Sequence, residues 1–478
     1  MQTTRTTVRP LITLLAVVAM LASACSADVG EDAAPASVAS VGASEAEPRR
    51  DGVEGAPSTD DGWVEGEPDW YDSGASDEAG PAAEYEEAAP AAEYEPMAEE
   101  SPSEEAMVEA ELAEPTPADE ADAALQQTTL TGGSIDDNER FEDYLAYRDD
   151  FRGLGIPIRD LDPRGRIVVT VTGEGGLPAL GAEVVVAGQG VEVSLRTTAD
   201  GTVRFHPEAY EAVPGPFTVT AGGVSTEATR GERVNIETTL PTAASGTIAL
   251  DVLFLLDATG SMHDEIYQLK ITIDEVAQRI HRLPGDVDVR LGMTLYRDEF
   301  DSFLTSTFDL TPDVEAFAEA LAAVVADGGD DYPEALDEAL ADALSQPSWR
   351  SAAETVQLVF LVADAPPQVL RQVPVPYTES MLQAAGRGIK IFPVSSSGTD
   401  DQAEFVFRQL AQFTGARYVF LTYGAAGRAT GSSSDIDQRD YEELSLDDLI
   451  VRLVAEELAD LAGNPAAGQA DDDSQSAN

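Results

Sequence analysis

An aspartate and two hydroxyl residues alternate in Asp257-Ala258-Thr259-Gly260-Ser261, directly after the apolar run 250–256. One carboxylate and two hydroxyls at i, i+2 and i+4 of a short turn are oxygen donors, the kind that hard divalent cations take. Two later segments carry matching oxygens. In Gly328-Gly329-Asp330-Asp331-Tyr332-Pro333-Glu334 the paired glycines permit close backbone approach, and Pro333 with Glu334 starts a helix. Asp364 ends the apolar run 356–363 and precedes Ala365-Pro366-Pro367, a turn that proline stiffens. Asp257 or Asp364 taken alone has a plainer role, capping the helix that follows. Three such loops in one half of the chain favour a cation site.

Strands and helices must bring these loops together. Residues 250–256, 287–296, 356–363, 389–394 and 417–421 are apolar runs that do not alternate with polar residues. Buried parallel strands have this character. Helical patterns fall between them. Ile266, Leu269, Ile273, Val276, Ile280 and Leu283 recur every three or four residues and form one apolar stripe, closed by Pro284-Gly285. The alternation predicts an α/β fold, a doubly wound and mostly parallel sheet over residues 246–463. Acidic residues leaving such strands lie where open α/β sheets place their sites.

The remainder of the chain has a different character. Residues 164–243 hold short β-branched runs separated by turn residues such as Asp200-Gly201, which predicts a small all-β sandwich. Residues 131–163 contain Phe141, Tyr144, Leu145 and Phe151 at helical spacing, a short helical brace. Residues 26–125 carry 30 acidic residues against Arg49 and Arg50, and repeat Pro-Ala-Ala-Glu-Tyr-Glu at 81–86 and 90–95. A segment of that composition repels itself, which predicts a disordered acidic linker over residues 25–130. A polar tail over residues 464–478 is also expected to be disordered. The formal charge of −61 excludes nucleic acid as a partner, because nucleic-acid binding needs a basic surface. It suits a cation or a basic partner. Cys25 is the one cysteine, so no intrachain disulfide can form.

Arg5, Arg9, the apolar stretch 11–21 and Leu21-Ala22-Ser23-Ala24-Cys25 resemble the signal peptide and lipobox of bacterial lipoproteins. The resemblance implies cleavage after residue 24 and lipidation of Cys25. The expected location is the cell envelope, with the membrane held through the lipid anchor only, either the outer membrane or the outer face of the cytoplasmic membrane. Residues 177–184 and 198–205 resemble a carboxypeptidase-regulatory-like β-sandwich. Asp257-x-Thr259-x-Ser261, the Gly-Gly-Asp-Asp loop and Asp364-Ala-Pro-Pro resemble the metal-ion-dependent adhesion site of von Willebrand factor A domains. The strand phrase Gly292-Met-Thr-Leu-Tyr-Arg-Asp298 is similar to bacterial members and to relatives beside alpha-kinases.

This last resemblance implies Mg2+ or Ca2+ as the cofactor. Thr259 and Ser261 would touch the ion through their hydroxyls, and Asp257 and Asp364 would bind it directly or through water. Asp331 stands where the family usually has threonine. A third carboxylate raises affinity for the bare ion and lowers attraction for a partner's carboxylate. The implied function is protein–protein interaction or adhesion with an unidentified protein or peptide partner. Two alternatives stay open. One is a structural surface protein whose metal only stabilises the fold; the other is a non-catalytic subunit serving an ATPase complex. No enzyme is expected, since no histidine base is positioned at the motif and no Gly-x-x-x-x-Gly-Lys phosphate loop occurs.

Overall fold

The computed structural model describes residues 130–242, 247–283, 287–329, 332–422 and 429–461. The expected signal peptide with Cys25, nearly all of the acidic linker, the tail, and both Asp330 and Asp331 lie outside the described residues.

The C-terminal half is an eight-stranded mixed sheet. Five strands were legible as apolar runs: β9 (Ile248–Asp257), β10 (Val287–Tyr296), β12 (Thr355–Ala363), β13 (Ile389–Ser395) and β14 (Tyr418–Leu421). All are paired in parallel, β9 between β10 and β12, then β13 and β14 outward. Every residue of β12 is buried, as expected of a strand covered on both faces. The connection after β9 runs to one side of it, and β12 lies on the other. This divergence opens a crevice at the carboxyl ends of β9 and β12.

Three antiparallel strands complete the sheet. β11 (Thr305–Thr311) pairs with β10 at one edge. At the other edge β1 (Thr131–Ile135) lies between β14 and the two-residue β15 (Leu444–Ser445). The segment expected as a helical brace therefore starts as a strand of the C-terminal sheet, and only then forms helix α1 (Phe141–Gly153). A side chain at Gly132 or Gly133 would collide with the Phe420 carbonyl or the Tyr441 ring, so the strand fits only because both residues lack one. Buried Arg408 on α6 (Asp401–Thr414) donates to both oxygens of Asp137 at 2.8 and 2.9 Å and anchors the chain just past β1.

Helices α2 (His263–Ile280), α3 (Val314–Ala322) and α7 (Leu446–Leu461) pack as one group. A second group is formed by α4 (Leu336–Ser345), α5 (Tyr377–Arg387) and α6, with α1 against α6. The apolar stripe read from the sequence on α2 is buried from Ile266 to Ile280.

Between α1 and β9 the chain forms an all-β unit. Strands β2 (Ile167–Thr172), β5 (Thr202–Phe205) and β8 (Arg233–Glu237) make one sheet. The second consists of β3 (Glu183–Gly188), β4 (Val191–Arg196), β6 (Phe217–Ala221) and β7 (Val224–Ala228). Val169, Val171, Val184, Val186, Phe205 and Phe217 fill the space between them. This unit meets the amino ends of the parallel strands. The His206 ring stacks on Phe413 with centroids 4.0 Å apart, and burial with neighbouring arginines pushes its pKa down to about 3. The carbonyls of Arg196 and Thr197 abut Gly388 just before β13. The carboxyl ends of the strands, where Asp257 and Asp364 lie, are left to the loops.

Candidate metal centre

Asp257 is the last residue of β9 and fully buried. The loop after it is held from both sides. Ala258 N–H donates to Tyr296 O at 2.9 Å, and Gly260 N–H donates to Gly328 O at 2.8 Å. Asp327 N–H returns to Ala258 O at 3.0 Å. Within the loop, the Thr259 amide and hydroxyl both donate to Asp257 Oδ1, at 2.9 and 2.6 Å. Thr259 Oγ1 is 3.2 Å from Ser261 Oγ, so the three side chains predicted to act together do converge. Thr259 is buried and Ser261 lies at the exposed edge.

Asp364 follows β12 and is also buried. The Ser261 hydroxyl interacts with its carboxylate, linking the ends of β9 and β12. Gly398 faces it from the loop after β13, where an added Cβ would stand 3.5 Å from Asp364 Oδ2. Asp257 Oδ2 and Asp364 Oδ1 are buried with no hydrogen bond of good geometry, although the buried Tyr296 hydroxyl acts on the Asp257 carboxylate. A buried carboxylate oxygen without a partner is costly, so such an atom calls for an explanation.

Glu334 is a site residue that the sequence reading passed over as a helix-start acid. It is buried, its Oε2 has no protein partner, and Asp257 and Asp364 both act on its charge. Its amide donates to Pro366 O at 3.0 Å, which ties this loop to the one after Asp364. Gly329 adopts φ +71°, and a Cβ there would come within 2.7 Å of both Thr259 Cβ and Glu334 Oε1. Only glycine lets the backbone pass this close. The paired glycines were the signal in the sequence: Gly329 serves Thr259 and Glu334, and Gly328 makes room for the Asp301 carboxylate. Asp331 lies outside the described residues.

The electrostatics follow from this crowding. Burial, reinforced by Asp364, pushes Asp257 up to about 7. Burial raises Asp364 to about 6, with Glu265 adding to the rise and Ser261 opposing it. Burial raises Glu334 to about 9, and Asp257, Asp298 and Asp364 push the same way. No cationic side chain ranks among the main influences on any of the three. His263 is exposed and sits beside the motif without entering it.

Two carboxylates and two hydroxyls are a donor set for Mg2+ or Ca2+, and the unpartnered oxygens are where such an ion would be held. Among the described residues no group of three or more His, Cys, Asp and Glu side chains stands ready as a metal cage. The candidate site instead mixes carboxylates with hydroxyls, with Glu334 alongside.

Residues 251–423 match the family model of the von Willebrand factor type A domain. The chain carries a von Willebrand factor type A domain. The match begins inside β9 and ends just after β14, so it leaves out β1, which the structure places in the same sheet. A 119-residue stretch is 31% identical to the alpha-protein kinase vwkA of Dictyostelium discoideum, over 24% of this chain and 18% of the kinase. The chain thus spans less than a fifth of that relative's length. The solved structure of proximal thread matrix protein 1 from the mussel byssus is similar over 49% of this chain and 54% of that one, at 13% identity and a TM-score of 0.30. In this von Willebrand A domain the candidate centre lies at the loops after β9 and β12, with the loop that begins α4 between them.

Proposed function

We propose that the carboxyl face of the von Willebrand A domain holds one Mg2+ or Ca2+ ion and that the domain mediates protein–protein interaction or adhesion. The reading rests on one observation: the buried Asp257 and Asp364 carboxylates, linked through the Thr259 and Ser261 hydroxyls, each keep an oxygen without a hydrogen bond of good geometry and have no side-chain cation beside them. Asp257, Thr259, Ser261 and Asp364 would hold the ion, with Asp331 and Glu334 adding negative charge. An ion there would supply the positive charge that the side chains lack. Lipidation at Cys25, with the acidic linker as a spacer, would present the domain at the cell envelope. The role we propose is a binding one; His263, the histidine nearest the motif in sequence, is exposed.

Glu334 favours a second reading, in which the ion chiefly stabilises the fold. Each added carboxylate strengthens the hold on the ion and leaves it less attractive to a partner's carboxylate.

Calorimetric titration of Mg2+ and Ca2+ into the full chain tests the proposal. Saturable binding that Asp257→Asn abolishes is expected. Absence of binding in the wild type would remove the ion from the mechanism. A fragment starting at residue 246 is unsuitable, because it lacks β1.

A further inference from the structure

Large apolar side chains are exposed on the loops around the candidate centre. Phe300 is 103% exposed, Leu370 84% and Tyr332 45%. Each lies on a different loop: Phe300 after β10, Tyr332 before α4, and Leu370 after Asp364. Phe300 holds φ +76°, a left-handed conformation that a bulky residue adopts only at some cost. The loops are tied together just behind the apolar tips. Arg371 pairs with Glu299 at 2.8 Å and with Glu338 at 2.5 Å. Residues 299 and 371 therefore touch, and Phe300 and Leu370 are their immediate neighbours in sequence. The Tyr332 hydroxyl donates to Asp364 O at 3.3 Å, which draws the third side chain to the same rim. Exposed apolar side chains gathered on one face mark an interaction surface.

Charge decides what such a surface would accept. Among the described residues, the connections at this end of the sheet, within 257–262, 297–304, 323–335, 364–376 and 396–400, carry eight acidic residues against Arg297 and Arg371. One divalent ion cancels only two of the surplus charges. Asp327 is 77% exposed and Glu299 48%; Arg297 stands 3.6 Å from the first and Arg371 2.8 Å from the second, so these arginines are taken up and the acidic surplus on the face stays uncompensated. A partner approaching with carboxylates would be repelled by the net negative charge around the ion, whereas a cationic one would be attracted.

We propose that the Phe300–Tyr332–Leu370 rim docks a protein segment in which bulky apolar side chains sit beside Arg or Lys. The apolar groups pack between the tips, and the basic groups meet the outer acids. The inference rests on the reading of this face as the protein-binding one. It assigns the ion the task of holding the loops, not of capturing the partner.

The test uses the full chain in 150 mM NaCl with Mg2+ or Ca2+, and three dye-labelled 12-residue peptides read by fluorescence anisotropy. One alternates Arg with Leu, one Glu with Leu, and one Arg with Ser. The Arg/Leu peptide is expected to bind tightest, and Phe300→Ser with Leu370→Ser to weaken it about tenfold or more. Binding of the Arg/Ser peptide, which reports attraction to the acidic linker, is expected to be unchanged by that pair. Leu154→Ser with Val224→Ser, exposed apolar positions elsewhere, controls for general loss of apolar surface. Tighter binding of the Glu/Leu peptide, or equal binding of the Arg/Leu peptide by the rim variant, would overturn the inference even where the ion binds. Loss of Arg/Leu binding in the rim variant of a protein that takes up no ion would uphold the rim and overturn the metal reading alone.

Discussion

Asp251 and Asp257 lie on the same strand, six residues apart, and both are fully buried. Their surroundings are opposite. Asp251, near the amino end of β9, accepts from Arg290 Nε and Nη2 at 2.9 and 2.7 Å and from the Arg350 amide and Nε at 3.0 and 2.8 Å. Arg350 reaches onward to Asp288 at 2.8 Å. Asp257, at the carboxyl end, receives the Thr259 amide and hydroxyl on Oδ1 and has the buried Tyr296 hydroxyl beside its carboxylate, but no side-chain cation, and Oδ2 has no hydrogen bond of good geometry. Its charged neighbours are other carboxylates. A buried charge must be compensated. At one end of the strand the protein supplies the cation itself. At the other end the compensation has to be a proton or an ion from solution. That contrast separates a structural buried aspartate from a candidate ligand better than burial or residue type does.

The largest effect is expected from breaking the self-compensated end. Asp251→Ala leaves Arg290 and Arg350 facing a buried space and should cost about 3–5 kcal/mol of stability, with or without metal. Urea denaturation in EDTA measures it, and a loss below about 1 kcal/mol would remove the contrast. Asp257→Asn should act in the opposite sense without metal. It removes a charge that burial and Asp364 disfavour, so the ion-free fold should gain about 1 kcal/mol or more at pH 8 while ion binding is lost. Equal destabilisation by the two variants would mean that Asp257 is structural after all.

The third prediction concerns pH. Asp257, Asp364 and Glu334 have folded-state pKa values of about 7, about 6 and about 9, all above the ordinary carboxylate values near 4. The ion-free fold therefore keeps protons that the unfolded chain has released. Its stability with respect to these groups is greatest below about pH 4 and falls as pH rises through 6, 7 and 9. Saturating Mg2+ or Ca2+ should flatten that fall, and ion affinity itself should rise with pH over the same range. Thermal melts with EDTA and with ion, from pH 5 to 9, check both. A melting temperature in EDTA that rises with pH would contradict the assigned shifts.

The smallest effects are those of the outer carboxylates. Glu334→Gln, measured at pH 9 where Glu334 begins to give up its proton, is expected to weaken ion binding about tenfold and to raise ion-free stability slightly, since there it removes a charge from the group. Asp331→Thr should weaken it by about threefold. A rise in affinity in either variant would show that the added carboxylates do not serve the ion.

The core of this arrangement was readable in advance, and the parts that were not share a cause. The buried parallel strands announce themselves as unbroken apolar runs, and Asp257, Thr259, Ser261 and Asp364 follow because polar residues that interrupt such runs at their carboxyl ends converge at the crevice. Glu334 was not readable as a site residue. An acid after proline at a helix start already has a sufficient local reason in the helix dipole, and nothing in the string says that Gly329 brings it against Thr259. β1 was unreadable for a related reason. Thr131-Gly132-Gly133-Ser134-Ile135 has little strand propensity of its own, and its partners in β14 lie nearly 290 residues away.

Local order is written into the sequence through periodicity: the strand–helix alternation, the all-β character of residues 164–243, the acidic surplus and the oxygen-bearing loops. Only the tertiary structure decided which charges meet. It gave Asp251 two arginines and gave Asp257 other carboxylates, although the sequence makes them the same residue on one strand. It also inserted β1 into a sheet that begins, in sequence, more than a hundred residues later. The physical reason is that burial and pairing depend on distance in space, and chain patterns fix only neighbours along the backbone.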